Sequence, residues 1–529
     1  MTQFTPQSTP ALQLDALRRH AKQLKRDFEA GVPAAHMRLN VHPPRSKAAA
    51  GVALQHADFL HVIAREQNFA SWPALKLAAD TIGLDRAARV QRLKIAVAQG
   101  QLQVIAHLLA ETPDLAAGLL GLEIALYDKA AVQAALWEDP QAAVRQLGPK
   151  SPILHLCYSR WIHARPDLVQ DMLDIAELLR AQGADVNDSM PVSPESDHQL
   201  SALYGAIGHA DNMPLAAWLL QHGADPNDGE SLYHATELGH RRGLKLLLDH
   251  GAKPAGTNAL LRALDFGDLA AVQMLIAAGA DVNEFHAAPV GGELPMVIPA
   301  LHQAARRMCD APIVDALLAA GADPSLKYQG VTAYAYARVF GNNALVQAIE
   351  TRRAEGVLGD AEGSKPLTAE ETLLALAAQG DTADGAFVNL DKLPDAYRNI
   401  IGEILHLPGK TDHVRRLAAL GVEYDRPNGE GLTPVQLAGW EGLPDMLALI
   451  LRLGPDLSHV NNYGGTLLST IIHGSENCPQ RADRDHIACL ELVLHHGVAL
   501  PQRDIASAGD TGVAAFLSDW AARYPGQVV

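Results

Sequence analysis

The sequence is poor in aromatic residues and has no long hydrophobic run. Aromatic residues make up 5% of its 529 residues, whereas hydrophobic residues, mostly Ala and Leu, make up 48%. A core rich in Ala and Leu favours closely packed helices over a β-sandwich. No stretch of roughly 18 apolar residues occurs, so we expect no membrane-spanning segment.

The sequence also has few cysteines. Its four cysteines, Cys157, Cys309, Cys478 and Cys489, are widely separated and form no C-x-x-C pair. Scattered cysteines of this kind are typical of free buried thiols in a reducing compartment. The N-terminal residues from Met1 to Leu12 are polar and lack the apolar core of a signal peptide. We therefore expect a cytoplasmic protein.

Positive charge is scarce as well. The formal net charge is −17, whereas nucleic-acid binding requires clustered Lys and Arg. The composition disfavours a nucleic-acid partner and leaves a basic protein partner open. Basic residues do cluster on the first predicted helix, and we interpret them as a solvated helix face: Arg18, Arg19, Lys22, Lys25 and Arg26.

The sequence repeats itself between residues 200 and 281. Gly223, Gly251 and Gly279 are each 28 residues apart, and each follows an apolar helical run such as Leu246-Leu247-Leu248. A fixed period of about 20–50 residues is typical of a solenoid of stacked repeats. Each unit reads as two helices, with a Ser/Thr-Pro cap at the start and a left-handed Gly at the end.

These motifs resemble the ankyrin repeat family, whose units contain T-P-L-H-x-A and later L-L-x-x-G-A-D-x-N. The best matches begin at Ser151-Pro152, Ala300-Leu301-His302 and Thr433-Pro434. The resemblance implies an all-α ankyrin solenoid that binds a protein partner through its concave surface. The 28-residue spacing is shorter than the ~33 residues of a regular unit, so we expect truncated β-turn fingers at 226–231 and 254–258.

The predicted organisation has four parts. Residues 1–88 form a helical N-terminal cap, 89–350 a first array, 351–368 a linker, and 369–529 a second array with a C-terminal cap. In the cap, we expect helices at 12–30 and 57–66, and a third helix with Ser71 as its N-cap. The stretch from Asp58 to Lys76 resembles a helical module found ahead of ankyrin arrays in bacteria, which implies a bacterial source.

The resemblance places the partner-facing residues just before the inter-helix turn and in the fingers. The turn positions include Phe266, Phe340 and Trp440, which we expect to be exposed aromatic anchors. The predicted partner-binding residues are Phe266, Arg306, Arg307, Phe340, Trp440, Glu441, Tyr328 and Tyr463, with Phe285 and His286 on the same side by register.

A polar segment from His473 to His486 resembles an H-G-S-x-N feature of a bacterial ankyrin subgroup. We expect it to enlarge the inter-helix turn into a loop in which Gly474 allows a tight bend. Residue types found in Ser–His pairs and in metal sites occur in this segment: His473, Ser475, Glu476, Asp485 and His486. The simpler interpretation is a hydrogen-bonded structural loop, because neither a nucleophile elbow nor an H-E-x-x-H helix is present.

The favoured function is therefore a non-enzymatic interaction scaffold, with no cofactor, metal or catalytic residue. One alternative is an enzyme or small-molecule binder, which would require the insertions at 186–200, 284–299 and 474–486 to converge. Another is a secreted effector that targets a host protein. The sequence leaves the oligomeric state and the partner open, because one fold serves unrelated ligands.

Overall fold

The computed structural model describes residues 14–43, 54, 56–193, 196–284, 298–357, 366–381 and 385–529. The chain divides into two compact units, unit 1 (Met1–Asp228) and unit 2 (Gly229–Val529). Both units consist mainly of short helices, and the few strands are two to three residues long.

In unit 1, an N-terminal helical module precedes a stack of helix pairs. Alternate helices pack on each other, so that α5, α7, α9 and α11 form one row, and α8, α10 and α12 form a second row. The helices are α1 (Leu14–Glu29), α2 (Pro33–Val41), α3 (His56–Glu66), α4 (Trp72–Thr81), α5 (Arg86–Ala98), α6 (Leu102–Glu111), α7 (Leu120–Ala125), α8 (Lys129–Glu138), α9 (Pro152–Cys157), α10 (Val169–Ala181), α11 (Ala202–Tyr204) and α12 (Met213–Gln221). Short 3-10 helices span Pro140–Ala143, Trp161–His163 and Pro166–Leu168, a π-helical turn spans Gly205–His209, and β1 (Ser189–Pro191) pairs with β2 (Gln199–Ser201).

The N-terminal module has the predicted helices. The α1 helix packs on α3 and buries Leu17, Ala21 and Leu24, and the Ser71 hydroxyl accepts a hydrogen bond from the Ala74 amide at 3.3 Å at the start of α4. The α4 helix then packs on α6, the second helix of the first pair. The module is therefore in contact with the first helix pair of the stack through α4.

Unit 2 continues the pattern of paired helices. Its helices are α13 (Ser231–Ala235), α14 (Arg242–Asp249), α15 (Ala259–Asp265), α16 (Leu269–Ala277), α17 (Ala300–Arg306), α18 (Ala311–Ala319), α19 (Ala333–Phe340), α20 (Asn343–Ala354), α21 (Ala369–Gln379), α22 (Ile400–Ile404), α23 (Thr411–Ala419), α24 (Pro434–Trp440), α25 (Pro444–Leu451), α26 (Leu467–Asn477), α27 (His486–His495), α28 (Gln502–Ser507) and α29 (Thr511–Arg523). The 3-10 helices span Leu390–Lys392, Asp395–Tyr397, Arg481–Asp483 and Pro525–Gln527, and β3 (Lys327–Tyr328) pairs with β4 (Val331–Thr332).

Helix ends follow the local signals of the sequence. At the start of α24, Thr433 is the N-cap residue, Pro434 follows it, and the Thr433 amide donates a hydrogen bond to Gln436 Oε1 at 3.2 Å. Gly279, after α16, has φ of +93°, a conformation that glycine adopts without the penalty a Cβ would bring. Asn283 then joins this repeat to the next one, because its amide donates to Gly321 O at 2.9 Å and accepts from the Asp323 amide at 2.7 Å.

The finger of the short repeat is truncated, as expected. Residues 254–258 form a turn in which the Thr257 hydroxyl donates to Pro254 O at 2.7 Å, and no strand is assigned there. In a longer repeat the finger contains the paired strands β3 and β4, which the shorter finger lacks.

The segment predicted as a linker is partly helical. The α20 helix extends to Ala354, and Thr368 caps α21 in a capping box with Glu371. Residues 358–365 lie outside the described residues. Within unit 2, α19, which precedes the segment, packs directly on α21, which follows it. Phe285 and His286, predicted to lie on the binding side, also fall outside the described residues.

All four cysteines are free and buried, as expected from their spacing. Among the described residues, no helix is long and apolar enough to cross a membrane.

Candidate functional site

A cleft of about 1090 Å³ in unit 2 is lined by first helices of several repeats and by the loops that precede them. We call it the unit-2 cleft. Its lining residues include Tyr233, Asn258, Arg262, Asp265, Gln303, Arg306, Arg307, Asn399, Glu403, His406, Arg426, Asn428, Glu430, Trp440, Glu441, Asn461, Tyr463 and His473.

The segments on either side of α22 contact α19. Tyr397, just before α22, stacks on Tyr336 of α19 with ring centroids 5.9 Å apart, and Lys410 Nζ donates to Phe340 O at 2.8 Å. Tyr336 in turn stacks on Phe340 at 4.2 Å. The prediction that Phe340 is an exposed anchor is therefore wrong: its side chain is 0% exposed, because α21 packs on α19 and because Tyr397 and Lys410 contact the same helix.

Ion pairs link the first helices along one wall of the cleft. Arg262 lies 2.6 Å from Glu237 and 3.0 Å from Asp265, and Arg307 lies 2.8 Å from Asp265. Gln303 also donates to Asp265. These contacts fix the relative positions of α13, α15 and α17, and so they hold the shape of the wall.

Arg306 belongs to the same wall. The register assigns it to the partner-facing side, but its side chain is buried. Its side chain is 2% exposed, with Nη1 3.4 Å from Glu403 and Nη2 donating to Gln303 at 2.6 Å. Arg306 therefore joins α17 to α22 inside the protein. The expectation of a freely accessible Arg306 is wrong because α22 packs against this part of α17.

His234 is held between two carboxylates at the end of this wall. Its ring nitrogens lie 2.8 Å from Glu237 and 3.0 Å from Glu230. Burial by itself lowers the pKa of His234, but the two carboxylates outweigh burial and raise it to about 9. His234 is thus a cation at neutral pH and belongs to the ionic wall.

The opposite wall contains Trp440, Glu441 and His473. The half-buried Trp440 ring lies 5.1 Å from the His473 ring. Glu441 is 3.7 Å from Arg484, and burial raises the pKa of its carboxyl group. This wall combines an aromatic surface with a poorly solvated carboxylate.

The remaining predicted anchors lie in different surroundings. Tyr463 lines the cleft and is 76% exposed. Phe266 is 50% exposed, with the Arg262 guanidinium 5.0 Å from its ring centroid, but it is not a lining residue. Tyr328 is half-buried and packs edge-on against His302 and Tyr336. Like Phe266, it is not a lining residue of the cleft.

The predicted polar loop is shorter than expected, because α26 continues through His473, Ser475 and Glu476. Gly474 lies inside this helix, and a Cβ there would collide with the backbone of Trp440. The glycine therefore permits α24 and α26 to approach closely, and the expected tight bend at Gly474 is wrong.

The five polar side chains make separate structural contacts. Ser475 Oγ donates to Ile472 O at 2.6 Å, and Glu476 accepts from the Gly509 amide at 2.5 Å. Asp485 caps α27 through the Ala488 amide, and His486 Nε2 lies 2.9 Å from Trp440 O. His473 Nδ1 contacts the Asn477 amide at 2.9 Å. These contacts match the interpretation as structural hydrogen bonds and form no Ser–His pair.

Sequence reasoning missed the part of the cleft that α22 contributes. Asn399, Glu403 and His406 lie on or beside a helix of only five residues, which carries no T-P-L-H-like signature. Burial and the guanidinium groups of Arg307, Arg306 and Arg484 lower the pKa of His406 to about 4. Within the described part of the chain, no group of three or more His, Cys, Asp and Glu side chains is arranged to hold a metal ion.

Comparison with known proteins agrees with this architecture. The family model for ankyrin repeats matches three copies over residues 203–286. The chain contains ankyrin repeats, and its fold is an all-α ankyrin solenoid.

Two solved structures illustrate the likeness. An ankyrin repeat domain from Acinetobacter baumannii is 26% identical, with 36% of this chain and 95% of that chain covered and a TM-score of 0.28. The ankyrin repeat domain of human ASB11 is 20% identical, with 49% and 96% covered and a TM-score of 0.24. No curated protein matches the chain.

Proposed function

We propose that the protein is a non-enzymatic scaffold whose unit-2 cleft binds a segment of a protein partner. Ankyrin repeats generally serve as protein–protein interaction modules. The observation that carries the proposal is the cleft itself, in which the exposed Tyr463 and the half-buried Trp440 line the same concave surface. Aromatic residues in a concave site are favoured interface anchors.

The ionic wall supports binding without rearrangement. Arg262 and Arg307 both form ion pairs with Asp265, which fixes these side chains relative to one another. A preformed surface limits the conformational entropy that association costs. The cleft therefore suits a partner segment that adapts to the protein.

Charge supports a partner that is basic outside the cleft. Unit 2 has 23 Lys and Arg and 36 Asp and Glu residues, a formal net charge of −13. The cleft lining is balanced, with four arginines (Arg262, Arg306, Arg307 and Arg426) and four carboxylates (Asp265, Glu403, Glu430 and Glu441). The negative electrostatic field of unit 2 thus accelerates encounter with a basic protein. Specificity for the partner comes from contacts inside the cleft.

The proposal includes a bacterial source and a cytoplasmic location. The free buried thiols support the location, since disulfides are rare in reducing compartments. The acidic surface supports the absence of a nucleic-acid partner.

Photo-cross-linking tests the proposed surface. A photoreactive phenylalanine analogue replaces Tyr463 in one variant and Phe387 in the control, because both side chains are strongly exposed, at 76% and 74%, and Phe387 lies outside the cleft lining. In a lysate of the source organism, we expect a discrete protein adduct at position 463 and none at position 387. The captured protein, once purified, should bind Trp440→Ala at least roughly tenfold more weakly than wild type.

Equal adducts at both positions, or unchanged affinity of a folded Trp440→Ala variant, would contradict the proposal.

A further inference from the structure

Arg307 lines the unit-2 cleft and has more N–H groups than there are protein acceptors bonded to it. An arginine side chain has five N–H groups and no acceptor. Arg307 uses two of them, because Nε donates to Asp265 at 2.8 Å and Nη1 donates to His406 Nε2 at 3.3 Å. Within the described residues, its other three N–H groups, one on Nη1 and two on Nη2, have no hydrogen-bond partner.

The electrostatic surroundings of Arg307 are positive, like Arg307 itself. Arg307, Arg306 and Arg484 all disfavour protonation of His406, and their effect outweighs the opposing one of Asp265. Arg484 contacts Glu441 at 3.7 Å and makes no side-chain hydrogen bond to any described residue. The imidazole therefore lies in a locally positive region of an otherwise acidic unit.

The acidic groups of the cleft are already engaged. Asp265 accepts hydrogen bonds from Gln303 and Arg307 and pairs with Arg262, and Glu403 faces Arg306 at 3.4 Å. An incoming cation would have to compete with these arginines. An incoming anion would instead meet N–H groups that are still available.

We propose that Arg307 binds a carboxylate of the protein segment that occupies the unit-2 cleft, with His406 beside it. This inference rests on the proposed function and specifies the partner chemistry. A carboxylate can accept two parallel N–H bonds, here one from Nη1 and one from Nη2 of Arg307, and such bidentate pairs are strong and directional. The carboxylate is that of an Asp or Glu side chain or of a chain terminus.

Peptide selection on the full chain tests the inference. One random peptide library presents internal sequences with amidated C-termini, and a second presents free C-terminal carboxylates. We expect binders enriched in Asp or Glu from the first library, or binders that require the free terminus from the second, which distinguishes the two sources. Arg307→Gln should weaken these binders by at least roughly tenfold, and Arg307→Lys should be intermediate because it keeps the charge and loses the bidentate geometry.

Arg415→Gln is the matched control. Arg415 lies on α23, is exposed, pairs with Asp412 and is not a lining residue, so its removal should leave binding unchanged. Binders that depend on Trp440 but show no carboxylate requirement and tolerate Arg307→Gln would overturn this inference alone. The absence of any binder, or binders indifferent to both Trp440→Ala and Arg307→Gln, would overturn the proposed function with it. A thermal melt of each variant establishes that it is folded.

Discussion

Phe266 and Phe340 occupy the same position in their repeats, but Phe266 is exposed and Phe340 is buried. Each directly precedes the turn glycine, Gly267 or Gly341, at the end of a first helix. Phe266 is half exposed beside Arg262, whereas Phe340 is fully buried, stacks on Tyr336 and belongs to a helix on which α21 packs. The repeat register thus determines which face a side chain points to, and a distant segment determines whether that face is open.

The two regions are also held together differently. The covered region around α19 depends on stacked aromatic rings, Tyr336 with Phe340 and Tyr397. The open region around α13 and α15 depends on ion pairs and on the charged His234. Apolar packing is insensitive to pH, whereas the ionic region contains a titrating group, so the two regions can be separated by experiment.

The largest expected effect is that of Phe340→Ala. Removing a fully buried phenylalanine costs about 3–5 kcal/mol of unfolding free energy, since it leaves a cavity. Phe266→Ala is the matched control, and it should cost less than about 1 kcal/mol because half of the ring is already exposed. Urea unfolding followed by circular dichroism measures both, and equal losses for the two variants would break the comparison.

The next effect is the pH dependence of the ionic region. The raised pKa of His234, about 9 against about 6.5 in the unfolded chain, contributes about 3 kcal/mol of stability. This contribution is complete below pH about 6.5 and is lost as pH rises through about 9, because the folded state then no longer holds the extra proton. Urea titrations from pH 6 to 10 should show the decline in wild type and in Phe340→Ala.

His234→Gln should be less stable at pH 6 and should lack most of that decline. A pH profile for His234→Gln that matches wild type would show that the ionic wall does not titrate there.

A smaller effect is expected for Gly474→Ala. The added Cβ meets the backbone of Trp440, and overpacking of this kind costs about 1–3 kcal/mol. Gly429→Ala is the control, because Gly429 also belongs to the cleft lining and nothing lies within 4 Å of a Cβ there. If thermal melts show the same transition for both variants, α24 and α26 are not in the close contact described.

The smallest stability effect is expected for Trp440→Ala, at about 1–2 kcal/mol, because only part of the ring is buried. Its main consequence should be lost partner binding, which contrasts with Phe340→Ala. A stability loss as large as that of Phe340→Ala would mean that Trp440 is a core residue, and the contrast between covered and open faces would fail at this repeat.

Much of the fold was predictable from local signals. The Thr433 cap, the Ser71 cap and the left-handed Gly279 each depend on residues within one helical turn, so the sequence displays them directly. The truncated finger at 254–258 followed from the 28-residue spacing alone. Trp440, Glu441, Arg307 and Tyr463, which the register assigns to the partner-facing side, line one cleft in the structure.

The errors share one cause. Gly474 and Ser475 resemble a turn in sequence, yet they continue a helix because α24 packs closely enough to require a glycine. Likewise, Phe340 and Arg306 occupy partner-facing register positions but are buried. Phe340 is buried where α21 packs on α19, and Arg306 is buried where it meets Glu403 of α22, a five-residue helix without a recognisable signature. Each outcome depends on how closely another helix packs, which a local sequence motif does not encode.

The sequence by itself determined the repeat architecture, the helix caps and the face on which each predicted anchor lies, because those properties arise from contacts within a repeat and between neighbouring repeats. Only the tertiary structure decided which of those faces remain open and which N–H groups of Arg307 remain available in the cleft. Exposure and electrostatic surroundings are sums over all neighbours in space, and for Phe340 and Arg307 the decisive neighbours, Lys410 and His406, lie 70 and 99 residues away along the chain.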